Sequence, residues 1–146
     1  MQISPNFELE EFTTSDTAKS KKIDNTPSKE IVSNLNLLCT NVLESLRELV
    51  KKPMFISSGY RCLALNTAIG GSKTSQHMEG KAADIKVKGL TTEELFQAII
   101  KSNIKFDQVI QEFDKWVHIS WNGVSNRNEK LRATKKDGKT IYTKIY

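Results

Sequence analysis

The sequence is poor in the residues that several kinds of protein depend on. Its two cysteines, Cys39 and Cys62, form no Cys-x-x-Cys pair in 146 residues, which excludes a disulfide scaffold, a thiolate zinc site and dithiol redox chemistry as organising principles. They read as incidental thiols, one in a helix and one in a polar loop. No apolar run approaches the ~18 residues that span a bilayer, and residues 1–10 lack the basic start and apolar stretch of an export signal. The expectation is a chain made in the cytoplasm, with no membrane insertion. Aromatic residues make up 8% of the chain and do not interleave with the basic ones as single-strand binders require, so nucleic acid is set aside as a partner. Histidine is as scarce as cysteine: only His77 and His118 are present.

Lys plus Arg number 22 against 17 Asp plus Glu, a net charge of +5, which suits anionic surroundings such as nucleic acid or a bacterial wall and equally fits a well-solvated basic surface. The length suffices for one core without disulfide support. A single domain over 1–146 is therefore expected, monomeric, with 1–27 as an N-terminal arm, because 13–27 is rich in Ser, Thr, Lys and Asp.

Periodicity locates the elements. Ile31, Leu35, Leu38, Val42, Leu46 and Leu49 recur at helical spacing after Ser28, a good cap, and predict a long amphipathic helix ending near Lys52 and Pro53. "MFISSGY" predicts a short strand running into a turn at Gly59. Thr91 or Thr92 with Glu94 marks a second helix reaching about Ser102. "ADIKV", "FDQVIQEF" and "WVHIS" are strand candidates, the last two joined tightly at Asp114 and Lys115, and the tail predicts a polar hairpin turning at Asp137 and Gly138.

Side chains alternate along a strand, so Val117 and Ile119 point one way while Trp116, His118 and Ser120 point the other. The same rule sets Ile85 and Val87 against Asp84. If the apolar faces cover the helices, Asp84 and His118 share the opposite face, and His77 reaches the same spot from a loop that Gly80 lets turn tightly. Two imidazoles and a carboxylate match the protein ligands of a catalytic zinc ion, with a fourth position for water. By spacing alone, the same residues also fit a solvated loop histidine and a hydrogen-bonded strand histidine.

The pattern Ser75-x-His77-x-x-Gly80-x-Ala82-x-Asp84, followed downstream by Trp116-Val117-His118, resembles the motif of zinc D-alanyl-D-alanine carboxypeptidases and related phage endolysins (the M15-like peptidases). Lysostaphin-type peptidases and hedgehog-like domains belong to the same wider group. "SPNFELEEF", "SGYRCLALNTAIGGSKTSQH" and "FDQVIQEFDKWVHIS" extend the likeness over nearly the whole chain. The resemblance implies an α+β fold, an antiparallel sheet with helices packed on one face and a zinc site on the other. It implies His77, Asp84 and His118 as ligands to Zn2+. Arg61 would bind a substrate carboxylate or polarise the scissile carbonyl, and Ser75 would bind substrate or orient His77. Many relatives carry an acidic residue three positions before the second histidine ligand, where this chain has Lys115. The general base is then Glu112, which resembles the glutamate of this branch, or Asp114, which falls in the turn.

The implied function is hydrolysis of a peptide bond in bacterial peptidoglycan by a phage or prophage endolysin that reaches the wall by holin-type release or in the virion. A D,D-carboxypeptidase and a non-catalytic wall-binding module stapled by zinc are the other readings.

Overall fold

The computed structural model describes residues 1–146. Strands β1 (Gln2–Ser4) and β2 (Phe7–Glu8) form a small antiparallel hairpin, followed by the short helices α1 (Glu10–Thr13) and α2 (Asp16–Ser20). Ile3, Phe7 and Phe12 of this segment are buried in the main core. Asn25 fastens its end: Nδ2 donates to the carbonyls of Thr13 and Tyr60, both at 3.0 Å, and Oδ1 accepts from Cys62 N–H at 2.8 Å.

The stripe after Ser28 folds as one continuous helix over 29–50, and the Ser28 hydroxyl caps it by accepting from Ile31 N–H. Helix α3 (Lys29–Leu38) and helix α4 (Glu44–Val50) are joined by a π-helical turn at Cys39–Leu43. That turn rotates the faces of α4 relative to a regular 3.6-residue stripe. Leu46 stays fully buried, whereas Leu49, expected on the same face, is 46% exposed. Lys51 in the left-handed region ends the helix two residues before Pro53.

Strand β3 (Met54–Ser58) leads to Gly59, where an added Cβ would lie 2.6 Å from the Phe12 backbone; glycine is required by that approach. Then come α5 (Leu63–Ala68), a 3₁₀ turn at Gln76–Glu79, β4 (Ala82–Val87), α6 (Thr92–Ile100), β5 (Gln108–Glu112), β6 (Trp116–Ser120), β7 (Glu129–Lys136) and β8 (Lys139–Lys144). Thr91 caps α6 in a reciprocal capping box with Glu94. No helix is long and apolar enough to cross a membrane.

Six strands pair in the order β3-β4-β6-β5-β7-β8, antiparallel except for β5 with β7. The fold is α+β with an antiparallel-dominated sheet, as the sequence implied. Ile85, Val87, Val109, Val117 and Ile119 pack with Leu95, Phe96 and Ile99 of α6 and with the long helix in one core. Two details differ from expectation. The β5–β6 turn centres on Phe113 and Asp114, both at positive φ as in a type I′ turn, instead of on Asp114 and Lys115. The tail hairpin, unanticipated as part of the main sheet, joins it through the parallel ladder of β7 with β5.

Arg132 of β7 holds Glu93 of α6 through a bidentate pair, clamping the hairpin to the helix layer. That guanidinium keeps the Glu93 carboxyl down at about 2. A depressed carboxyl stabilises the fold above its ordinary value near 4.5 and loses that contribution as pH falls toward about 2. Both side chains are partly exposed, so screening limits the effect. Glu93→Gln is expected to lower the unfolding free energy by about 1 kcal/mol at neutral pH, with the gap closing through the acidic window, as read by urea titrations at a series of pH values.

Candidate metal centre

Antiparallel pairing of β4 with β6 sets Asp84 directly opposite His118. Their neighbours Ile85 and Val117 face the core, so the two polar side chains emerge together on the face away from the helices. His77 is delivered by the 3₁₀ turn. The Ser75 hydroxyl accepts from His77 N–H at 3.2 Å on entry, and Gly80 at φ +70° closes the exit. A Cβ at Gly80 would come within 2.9 Å of Ile31, so the turn sits tight beneath α3.

His77 Nδ1 lies 2.7 Å from the Gly59 carbonyl oxygen. A carbonyl only accepts, so Nδ1 carries the proton and Nε2 turns its lone pair into the cluster. There His77 Nε2, Asp84 Oδ1 and His118 Nδ1 lie 3.2 Å from one another. A neutral His77 and an ionised Asp84 offer lone pairs to each other, an arrangement that a cation relieves. Three corners of a tetrahedron with bonds of ~2.0–2.1 Å would be about 3.4 Å apart, close to what is seen. The donor set therefore fits a divalent metal ion, and all three residues are buried. The Gly59 contact is of the kind that orients an imidazole for metal binding.

Burial, reinforced by the charges of His118 and Arg61, lowers the His77 pKa despite the opposing pull of Asp84, favouring the neutral, ligating form. Burial alone would raise the Asp84 carboxyl, and imidazoles beside it, where protonated, pull it below the usual carboxylate range.

Glu112 pairs with Trp116 across the β5–β6 hairpin, which sets its carboxylate on the face of His118, 3.7 Å from Nδ1. Burial and the negative charge of Asp84 push its pKa up. Asp114 is not brought to the cluster. Its carboxylate accepts from the Gln111 side chain, and its backbone N–H donates to Gln111 Oε1 at 2.9 Å. Gln111 alternates with Glu112 and reaches Glu93 of α6, so that network lies on the helix face.

Arg61 follows β3, and its backbone N–H donates to the His77 carbonyl at 3.1 Å. Burial lowers its pKa against the upward pull of Asp84 and Glu112, and its Nε has no hydrogen-bond partner. Arg61, Ser75 and Glu112 line, with the three cluster residues, one cleft of about 890 Å³.

Two supports are invisible in the sequence. Asn25 grips the backbone on both sides of Arg61, and Asp107 receives Gln76 of the 3₁₀ turn together with Arg127. Their partners are up to 37 residues away, so no local pattern marks them.

The model of the Peptidase M15 family matches residues 5–120, a span containing the whole cluster together with Arg61 and Glu112. The chain belongs to the peptidase M15 family. It is thus a metallopeptidase at the level of its family, and the buried His-Asp-His cluster is the place in this M15 fold where a metal ion can be held. Among curated proteins, no sequence matches the chain.

Replacing His77, Asp84 or His118 by Ala leaves two donors, too few to retain the ion. Elemental analysis after dialysis is expected to find about one equivalent of bound metal in the wild type and only traces in each variant. Full occupancy in His118→Ala would remove that residue from the ligand set.

Proposed function

We propose that this M15 peptidase hydrolyses a peptide bond in the stem peptides or cross-links of bacterial peptidoglycan, with zinc as its metal. The observation that carries the reading is the hairpin register that lays Glu112 beside His118 on the cleft face. His77, Asp84 and His118 would hold the ion. Zinc, when bound, supplies Lewis-acid polarisation and makes water a competent nucleophile near neutral pH.

The chain's own residues do the rest. Glu112 takes a proton from the attacking water as the water oxygen adds to the scissile carbonyl carbon. It then passes that proton to the departing nitrogen as the C–N bond breaks, which leaves a free carboxylate and a free amine. Its raised pKa suits a group that must both accept and release a proton. Arg61, beside the carboxylates across the cluster, binds a substrate oxygen with its planar donor fork. Ser75 acts through His77, whose backbone it fixes. The likeness of "SPNFELEEF" and "SGYR" to the branch of the family found often in phages and bacteria supports an endolysin role, exerted on the wall after release from the cytoplasm or from the virion.

Mass spectrometry of fragments released from purified sacculi, with and without chelator, tests the substrate. New amino groups within cross-links or stem peptides, lost with chelator, are expected. Free D-alanine as the sole product would indicate the carboxypeptidase, and zinc retention without any product the non-catalytic module.

The proton shuttle has its own test. Glu112→Gln is nearly isosteric and is expected to keep fold and zinc while losing roughly two to four powers of ten in turnover. Asp114→Asn is expected to cost little, since Asn tolerates the positive φ of that turn. Rates compared at matched zinc content decide the point, and the reverse ranking would move the role to Asp114.

A further inference from the structure

Strands β7 and β8 lie outside the segment matched by the family, yet Leu131, Lys135, Thr140 and Tyr142 form a wall of the cleft that holds the metal cluster. The ladders explain which side chains do so. Glu112 pairs with Ala133 across β5 and β7, and Ala133 pairs with Tyr142 across β7 and β8. Residues in register share a face, so Glu112, Ala133 and Tyr142 form one row. Ala133 carries only a methyl group, which leaves room for the Tyr142 ring to lean toward Glu112. Burial and the Glu112 charge both raise the phenol's pKa, a sign of that proximity. Tyr142 is nevertheless 56% exposed, an aromatic residue open to solvent at the cleft.

The order across the sheet is then Arg61, Asp84, His118, Glu112 and Tyr142, because β3, β4, β6, β5, β7 and β8 succeed one another in that sequence. Glu112 stands between the metal ligands and the hairpin. The hairpin is thus the wall that lies beyond Glu112, on the side open to an amine that Glu112 protonates.

Charge points to the same occupant. Cationic side chains lining the cleft outnumber carboxylates four to two. Arg127 is engaged by Asp107, Arg61 stands under the charges of Asp84 and Glu112, and Lys86 lies on β4, across the metal cluster from the hairpin. Lys135 has no carboxylate partner and reaches over the Phe113 ring, 5.6 Å from its centroid, at the hairpin end of the cleft.

We infer that the β7–β8 hairpin selects the substrate on the leaving-group side of the scissile bond, Tyr142 packing on the residue that carries the departing amine and Lys135 binding a carboxylate of that peptide segment. The inference rests on the peptidoglycan-peptidase reading and deepens it. Tyr142 and Lys135 are specificity-determining residues here, and neither takes part in bond breaking. A tyrosine suits such a wall because its ring offers area with few rotatable bonds.

Steady-state hydrolysis of soluble peptidoglycan fragments by the zinc-loaded full chain tests this. Tyr142→Ala and Lys135→Ala are each expected to raise KM about tenfold with kcat and zinc content unchanged, the signature of lost uniform binding. Tyr142→Phe is expected to stay near wild type, because the ring makes the contact. Thr143→Ala is the control: it pairs with Arg132, whose side chain turns to α6, and is expected to match wild type. Wild-type KM in both alanine variants would overturn the assignment, as would a loss in Thr143→Ala as large as theirs, which would indicate general damage to the hairpin. A wild-type chain that cleaves no fragment would overturn the peptidoglycan reading and this inference together, whereas the other adverse outcomes overturn the inference alone.

Discussion

Asp84 faces His118 across the β4–β6 ladder, and the same four paired positions that place these polar side chains on one face place Ala83, Ile85, Val117 and Ile119 on the other. Core and site are thus two faces of a single register. A slip of one residue would drive a carboxylate and an imidazole into the apolar layer and expose the aliphatic side chains in their place. Burying an ionised carboxylate without partners costs several kcal/mol or more. The hydrophobic packing that holds the sheet to α6 and the long helix therefore also holds the candidate ligands in position.

The β5–β6 turn carries the second constraint. With Phe113 and Asp114 at positive φ, Glu112 falls opposite Trp116 and points into the cleft, while Gln111 points to the helices and takes Asp114 with it. Two acidic residues separated by one position thus part to opposite faces. The substitution of lysine at 115 is compatible with this geometry, because the carboxylate beside His118 arrives from the neighbouring strand. Arg61 completes the arrangement from the β3 side, tied by backbone to His77 and by Asn25 to the N-terminal segment. Placing a fixed cation and a partly desolvated glutamate on either side of a metal cluster suits a reaction in which negative charge develops on a carbonyl oxygen and a proton must move.

Much of this is legible in the sequence because it rests on short-range rules. Alternation in "ADIKV" and "WVHIS" identifies the shared face, helical spacing identifies the long helix, and Thr91 with Glu94 identifies the start of α6. The features that escape depend on distance along the chain or on a local irregularity. Neither periodicity nor composition announces a π turn, so Leu49 falls on the predicted buried stripe but not on the real one. The parallel join of β7 to β5 is a long-range pairing, and the hairpin wall of the cleft is hidden with it. The choice between Glu112 and Asp114 turns on one residue of turn position, which turn propensities for Asp do not resolve.

X-ray absorption at the zinc edge of the metal-loaded chain reads the donor set directly. The account predicts only nitrogen and oxygen scatterers at about 2.0–2.1 Å, including two imidazoles. A sulfur scatterer near ~2.3 Å, which would bring in a cysteine thiolate, or a spectrum with fewer than two imidazoles, would contradict it.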